Sequence, residues 1–85
     1  MKVVVIGSHL CPDTLFALNQ LKGKNIEVDF QNLSASFPAL RAFLNARESE
    51  AVYAPVKAAN GIGIPFFELE DGTKTFDLNV VLGKA

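Results

Sequence analysis

The chain holds one cysteine, in the stretch His9-Leu10-Cys11-Pro12-Asp13-Thr14. A cysteine does chemistry as the thiolate, which is the nucleophile of disulfide exchange. A free thiol ionises near pH ~8.5, so only a few per cent is thiolate at neutral pH. Pro12 fits the first turn of a helix, where its missing N–H costs nothing. Cys11 then stands at a helix N-terminus, where unpaired N–H groups and the helix dipole favour negative charge. Lowering the thiol pKa by about one unit takes roughly 1.4 kcal/mol, within what a well-placed helix end contributes. Asp13 adds a carboxylate to the same turn and opposes the thiolate; His9, if protonated, offsets it. The alternative for Cys11 is an inert core residue, since free cysteines are often buried.

Several other chemistries lack their residues. With one cysteine, no disulfide can form within the chain, and one histidine beside it leaves a zinc site short of ligands. A solvated loop is the simpler role for His9. A phosphatase-type loop needs an arginine six positions after the cysteine, and that position holds Ala17. Gly61-Ile62-Gly63 is too short for a phosphate or dinucleotide loop, and Ile64-Pro65 follows it rather than a helix. Arg41, Arg47 and Glu48 read as the solvated face of a helix. Net charge is −1 and the basic residues are scattered, which points away from nucleic acid. The apolar run after Met1 is too short for a signal peptide or a membrane span. A cytoplasmic, reducing compartment is the default, and there a lone thiol remains free.

The elements that position Cys11 follow from periodicity. At 85 residues and 49% hydrophobic content the chain suits one compact soluble domain, 1–85, with no internal repeat. Val3 to Ile6, apolar at every position, reads as a strand buried on both faces. A loop from Gly7 to Leu10 leads to a helix whose stripe is Leu15, Leu18 and Leu21, stopped at Gly23. Ile26, Val28 and Phe30 alternate with Glu27, Asp29 and Gln31 as in a strand with one polar face. Ser36 caps a second helix with Pro38 in its first turn and Leu40, Phe43, Leu44 and Arg47 at helical spacing. Pro55 interrupts it and opens a short helix ending at Asn60-Gly61. Ile64 to Leu69, the turn Asp71-Gly72 and Thr73 to Phe76 form a hairpin, and Asp77 caps a last helix containing Leu78, Val81 and Leu82.

A buried strand, Cys-Pro at a helix start, and Gly63-Ile64-Pro65 before a later strand together make the chain similar to the glutaredoxin family. The likeness extends over nearly the whole chain in element order and length. It implies a thioredoxin fold, β-α-β-α-β-β-α, with a four-stranded mixed sheet and helices on both faces. It also implies a cis peptide bond at Ile64-Pro65, and an Ile64 backbone that pairs with the cysteinyl part of glutathione as a short added strand. Pro12, Ile64, Pro65 and Asp77 are then the substrate-binding positions beside the catalytic Cys11. The chain departs from the family in a shorter terminal helix and at three places in the site. Thr14 replaces the second cysteine, Ser8 stands where a lysine is usual, and Thr75-Phe76-Asp77-Leu78 replaces the Gly-Gly-Asp that holds the γ-glutamyl end. Of that last grip only Asp77 remains. Lys57 is a further residue that could reach a glutathione carboxylate.

The resemblance implies a glutathione-dependent thiol–disulfide oxidoreductase that works by a monothiol mechanism through Cys11. Its co-substrate is glutathione, its partners are glutathionylated or disulfide-bearing proteins, and a monomer without membrane or nucleic-acid partners is expected. Two alternatives stand beside it. One is a non-catalytic thioredoxin-fold module whose groove beside Cys11 and Pro65 accepts an extended peptide. The other is an iron–sulfur cluster carrier, which ranks lower because the Cys-Gly-Phe-Ser motif linked to that role is missing.

Overall fold

A computed structural model describes residues 1–85 and places β1, Lys2–Gly7, at the centre of the sheet. β1 runs parallel to β2 (Glu27–Asn32) on one side and antiparallel to β3 (Phe66–Leu69) on the other. β3 pairs antiparallel with the two-residue β4, Lys74–Thr75, giving a mixed sheet in the order β2-β1-β3-β4. Central placement explains the unbroken β-branched run of Val3 to Ile6, because a strand paired on both edges and covered on both faces has no polar side.

Register divides the core into two layers. Val3 lies opposite Leu69 and Val5 opposite Phe67, so these four share one face of the pleat. Ala17 and Leu21 of α1 (Pro12–Leu21) and Val81 of α4 (Leu78–Lys84) cover that face. Ile6 and Phe66, opposite each other, point the other way and meet Phe43, Ala46 and Tyr53. Phe43 and Ala46 belong to α2 (Phe37–Ser49), and Tyr53 ends a 3-10 turn over Ala51–Tyr53. Phe66 and Phe67 are both fully buried, one in each layer. Each such side chain contributes roughly 1.5–3 kcal/mol by leaving water.

The local signals explain where elements begin. Ser36 Oγ accepts from Ala39 N at 3.2 Å, with Pro38 in the first turn of α2. Asp77 Oδ1 accepts from Asn79 N at 2.9 Å at the start of α4. In the β3–β4 connection Asp71 Oδ1 accepts from Thr73 N at 2.9 Å, and Gly72 has φ +92°. No helix is long and apolar enough to cross a membrane.

Four expectations are corrected. The buried face of α1 is Thr14, Ala17 and Leu21, while Leu15 of the expected leucine stripe is 49% exposed. Small Ala17 and Thr14 let the N-terminal half of α1 approach the sheet closely, while Leu21, with Leu18 beside it, fills the core at the other end. Leu44 is likewise exposed on α2. That helix ends at Ser49, ahead of Pro55, and the 3-10 turn intervenes before α3 (Ala54–Ala58). The last two strands are shorter than the hydrophobic pattern suggests, since β3 begins only after Pro65, which has no N–H to give a ladder.

Candidate functional site

Cys11 follows the central strand by one short loop. At the end of β1, a Cβ on Gly7 would lie 2.5 Å from Thr14 Oγ1 and 2.7 Å from its Cγ2, so only glycine admits Thr14 here. Thr14 is fully buried and its Oγ1 accepts a 3.4 Å hydrogen bond from Ser8 N. Ser8 in turn accepts from Cys11 N through its carbonyl oxygen at 3.0 Å, and from Leu10 N through its Oγ at 3.0 Å. Cys11 is thereby fixed as the half-buried N-cap residue of α1, with φ −97° and ψ 117°.

The setting acts on the thiol in both directions. Burial raises its pKa, while the Thr14 hydroxyl and the N–H groups of Thr14 and Asp13 favour the thiolate. The Asp13 carboxylate works against these donors, and the net result is a thiol pKa below the ordinary value. The neutral thiol makes no capping hydrogen bond of its own, so the donors act chiefly once the sulfur is ionised. His9 takes no part. Its Nδ1 lies 2.9 Å from Asn32 Nδ2, and its N–H donates to Asn32 Oδ1 at 3.3 Å.

Asn32 also accepts from Ser34 N at 3.1 Å, and Ser34 Oγ shares a short hydrogen bond with Ser8 Oγ. The loop after β1 and the loop after β2 are therefore tied together beside the sulfur. Sequence spacing gave no sign of these partners, because Ser8 and Ser34 are ordinary loop residues until parallel pairing of β1 and β2 brings their strand ends side by side.

A third segment completes the groove. Ile64-Pro65 is a cis peptide bond, preceded by Gly63 at φ +80°. Tyr53 OH donates to Gly63 O at 2.7 Å, and Arg47 Nη2 donates to Gly61 O at 2.9 Å. Arg47 is thus half-buried and structural, which corrects its expected place on a solvated face. The N–H and C=O of Ile64 make no hydrogen bond within the chain. Ile64 lines one groove together with Cys11, Leu10, Leu33 and Ile62, and also borders a second depression with Pro65, Phe16, Phe76 and Leu78.

The structure brings Cys11 and Ile64 into one groove with Pro65 adjoining. Pro12 is exposed in the first turn of α1 and lines neither depression. Asp77 lines neither as well, its carboxylate being engaged in capping α4. Lys57 is exposed at the end of α3, away from both. No three His, Cys, Asp or Glu side chains converge where they could hold a metal ion.

The chain is 30% identical over 78 residues to an uncharacterized protein of Haemophilus influenzae. The alignment covers 92% of this chain and 91% of that protein. This chain belongs to the same family as that protein. No family model matches the chain, and no solved structure matches it.

Proposed function

We propose that this protein is a glutaredoxin-like thiol–disulfide oxidoreductase of thioredoxin fold, acting through Cys11 alone on glutathione mixed disulfides. One observation carries the reading: a helix-end thiol with lowered pKa shares a groove with the unpaired N–H and C=O of Ile64. The thiolate is the attacking species, and the free backbone pair can hold an extended disulfide-bearing segment against it. The sheet order β2-β1-β3-β4, with the cysteine after the central strand, favours the thioredoxin fold.

The reaction closes with one thiol. Cys11 thiolate attacks the glutathione sulfur of a protein–glutathione disulfide, forming a Cys11–glutathione bond as the original S–S bond breaks. The protein leaves as thiolate and takes a proton from water. A second glutathione thiolate then attacks the bound glutathione sulfur, yielding oxidised glutathione and restoring Cys11 thiolate. Thr14, in place of a resolving cysteine, keeps the first intermediate from closing an internal disulfide and lowers the thiol pKa instead. Ile64 and Pro65 align the substrate, with Pro12 and Asp77 holding the helix starts on either side.

The test is deglutathionylation of a labelled peptide with glutathione as reductant. Wild-type protein should accelerate release, and Cys11→Ser should reduce it to the uncatalysed rate. Full activity in Cys11→Ser would refute the reading. A non-catalytic binding module is the second reading, favoured by Ser8. Its side chain is engaged with Ser34 and Leu10 where the family's lysine would meet glutathione.

A further inference from the structure

Substrate selection can be read from what surrounds Ile64. Glutathione carries two carboxylates and one ammonium, a net negative charge, and neither depression bordering Ile64 has a lysine, arginine or histidine in its wall. The one fixed charge there is the Asp13 carboxylate. Arg47, which reaches the Gly61 loop, is engaged with Gly61 O, and Lys57 stands exposed near the end of α3, outside both depressions. The tripeptide would thus lay two carboxylates without a cationic partner beside a thiolate, with only its ammonium able to meet Asp13.

The same wall suits an extended polypeptide. Ile62 is 61% exposed and Leu10 projects beside it, while Leu33 and Ser34 line both the Cys11 groove and the next depression along. Phe37, 79% exposed, and Leu40 carry the apolar surface onward from there to Leu44, where Arg41 adds the first cation along the track. This track starts at the unpaired backbone of Ile64 and passes through two adjoining depressions that share Leu33 and Ser34. Exposed aliphatic and aromatic side chains in a continuous run mark a protein-binding surface.

We propose that the groove from Ile64 past Leu33 to Phe37 binds the protein half of the mixed disulfide. The fitting occupant is an extended segment with aliphatic residues flanking its cysteine and a basic residue toward Asp13. This rests on the thiol-exchange reading for its chemistry, but the docking itself needs no reactive sulfur. Substrate choice then lies with the polypeptide, which leaves as thiolate, and glutathione serves as the group passed to Cys11 and as the resolving thiol.

Docking is measured on Cys11→Ser by amide-shift titration with three probes: a Leu/Val/Lys peptide with serine for cysteine, a Glu/Ser peptide of equal length, and S-methyl glutathione. The Leu/Val/Lys peptide should shift Leu10, Ile62 and Ile64 and bind at least about tenfold tighter than either other probe, the worth of one buried aliphatic side chain. Ile62→Lys, at an exposed position that leaves the core intact, should remove that preference and strengthen S-methyl glutathione binding. Equal or tighter binding of S-methyl glutathione or of the acidic peptide, or no binding of any probe, overturns the proposal. Peptide binding without Cys11-dependent turnover in the wild type would uphold the docking site and refute the exchange reading instead.

Discussion

Tyr53 holds Gly63 by two contacts at once. Its hydroxyl donates to Gly63 O at 2.7 Å, and its Cε1 lies 2.6 Å from where a Gly63 Cβ would be. The ring is fully buried, with Phe66 and Phe76 edge-on at centroid distances of 5.0 and 4.8 Å. Burial raises the phenol pKa, so the hydroxyl stays a neutral donor. Tyr53→Phe should therefore lower stability by about 1–2 kcal/mol in denaturant melts, through the unpaired Gly63 carbonyl. Gly63→Ala should lower it by more, about 2–4 kcal/mol, since a φ of +80° and the Tyr53 ring both exclude a side chain.

Thr14→Val tests how the thiol is tuned. The substitution preserves shape and removes the hydroxyl that favours the Cys11 thiolate, so the thiol pKa should rise toward the ordinary value. Thiolate ultraviolet absorbance followed against pH reads this directly. The variant also strips Ser8 N of its acceptor, lowering stability by about 1 kcal/mol.

The lowered thiol pKa has a signature in stability against pH. A group whose folded pKa lies below its unfolded value stabilises the fold above the unfolded pKa, for a free thiol about 8.5. That contribution is lost as pH falls through the lower, folded value. Wild type should therefore gain stability relative to Cys11→Ser as pH rises from the folded thiol pKa to the unfolded one, with the gap closing as pH falls below the folded value. A difference flat across that window would show that folding leaves the thiol unperturbed.

Asp13→Asn should act in the opposite sense to Thr14→Val. Asp13 raises the thiol pKa by charge while its own N–H lowers it, and the amide variant keeps the N–H. The pKa should fall further, and disulfide exchange at neutral pH should quicken by a few-fold, as expected for one charge near the surface. High salt should erase most of the difference between the two proteins.

Much of this arrangement was legible in the chain because its signals are local. Pro12, Ser36, Pro38, Asp71-Gly72 and Asp77 each mark an element boundary by their own backbone or capping chemistry, and the structure uses each of them there. The run Val3 to Ile6 announced a strand buried on both faces, and the structure places it at the centre of the sheet. What stayed hidden depends on distant pairing. Nothing near Ser8 in sequence indicates Ser34, and Thr14 reads as a missing cysteine until its close fit against Gly7 is seen. Leu15 misled because a three-residue leucine spacing resembles a buried stripe, whereas the sheet selects Ala17 for its small size.

Arg47 illustrates the same limit and separates positioning from activation. In sequence it sits between other polar helix residues, yet its Nη2 reaches Gly61 O at 2.9 Å and braces the loop that carries Ile64. Arg47→Lys keeps the charge and loses the planar fork, so the reach to Gly61 should fail. Stability should drop by about 1–2 kcal/mol, and amide exchange should quicken over residues 61–64. The thiol pKa should not move, because the groups acting on Cys11 are Thr14 and Asp13. Slower disulfide exchange at unchanged thiol pKa would then assign Arg47 to alignment of the substrate. A shifted pKa would instead mean that the Gly61 loop supports the thiolate itself.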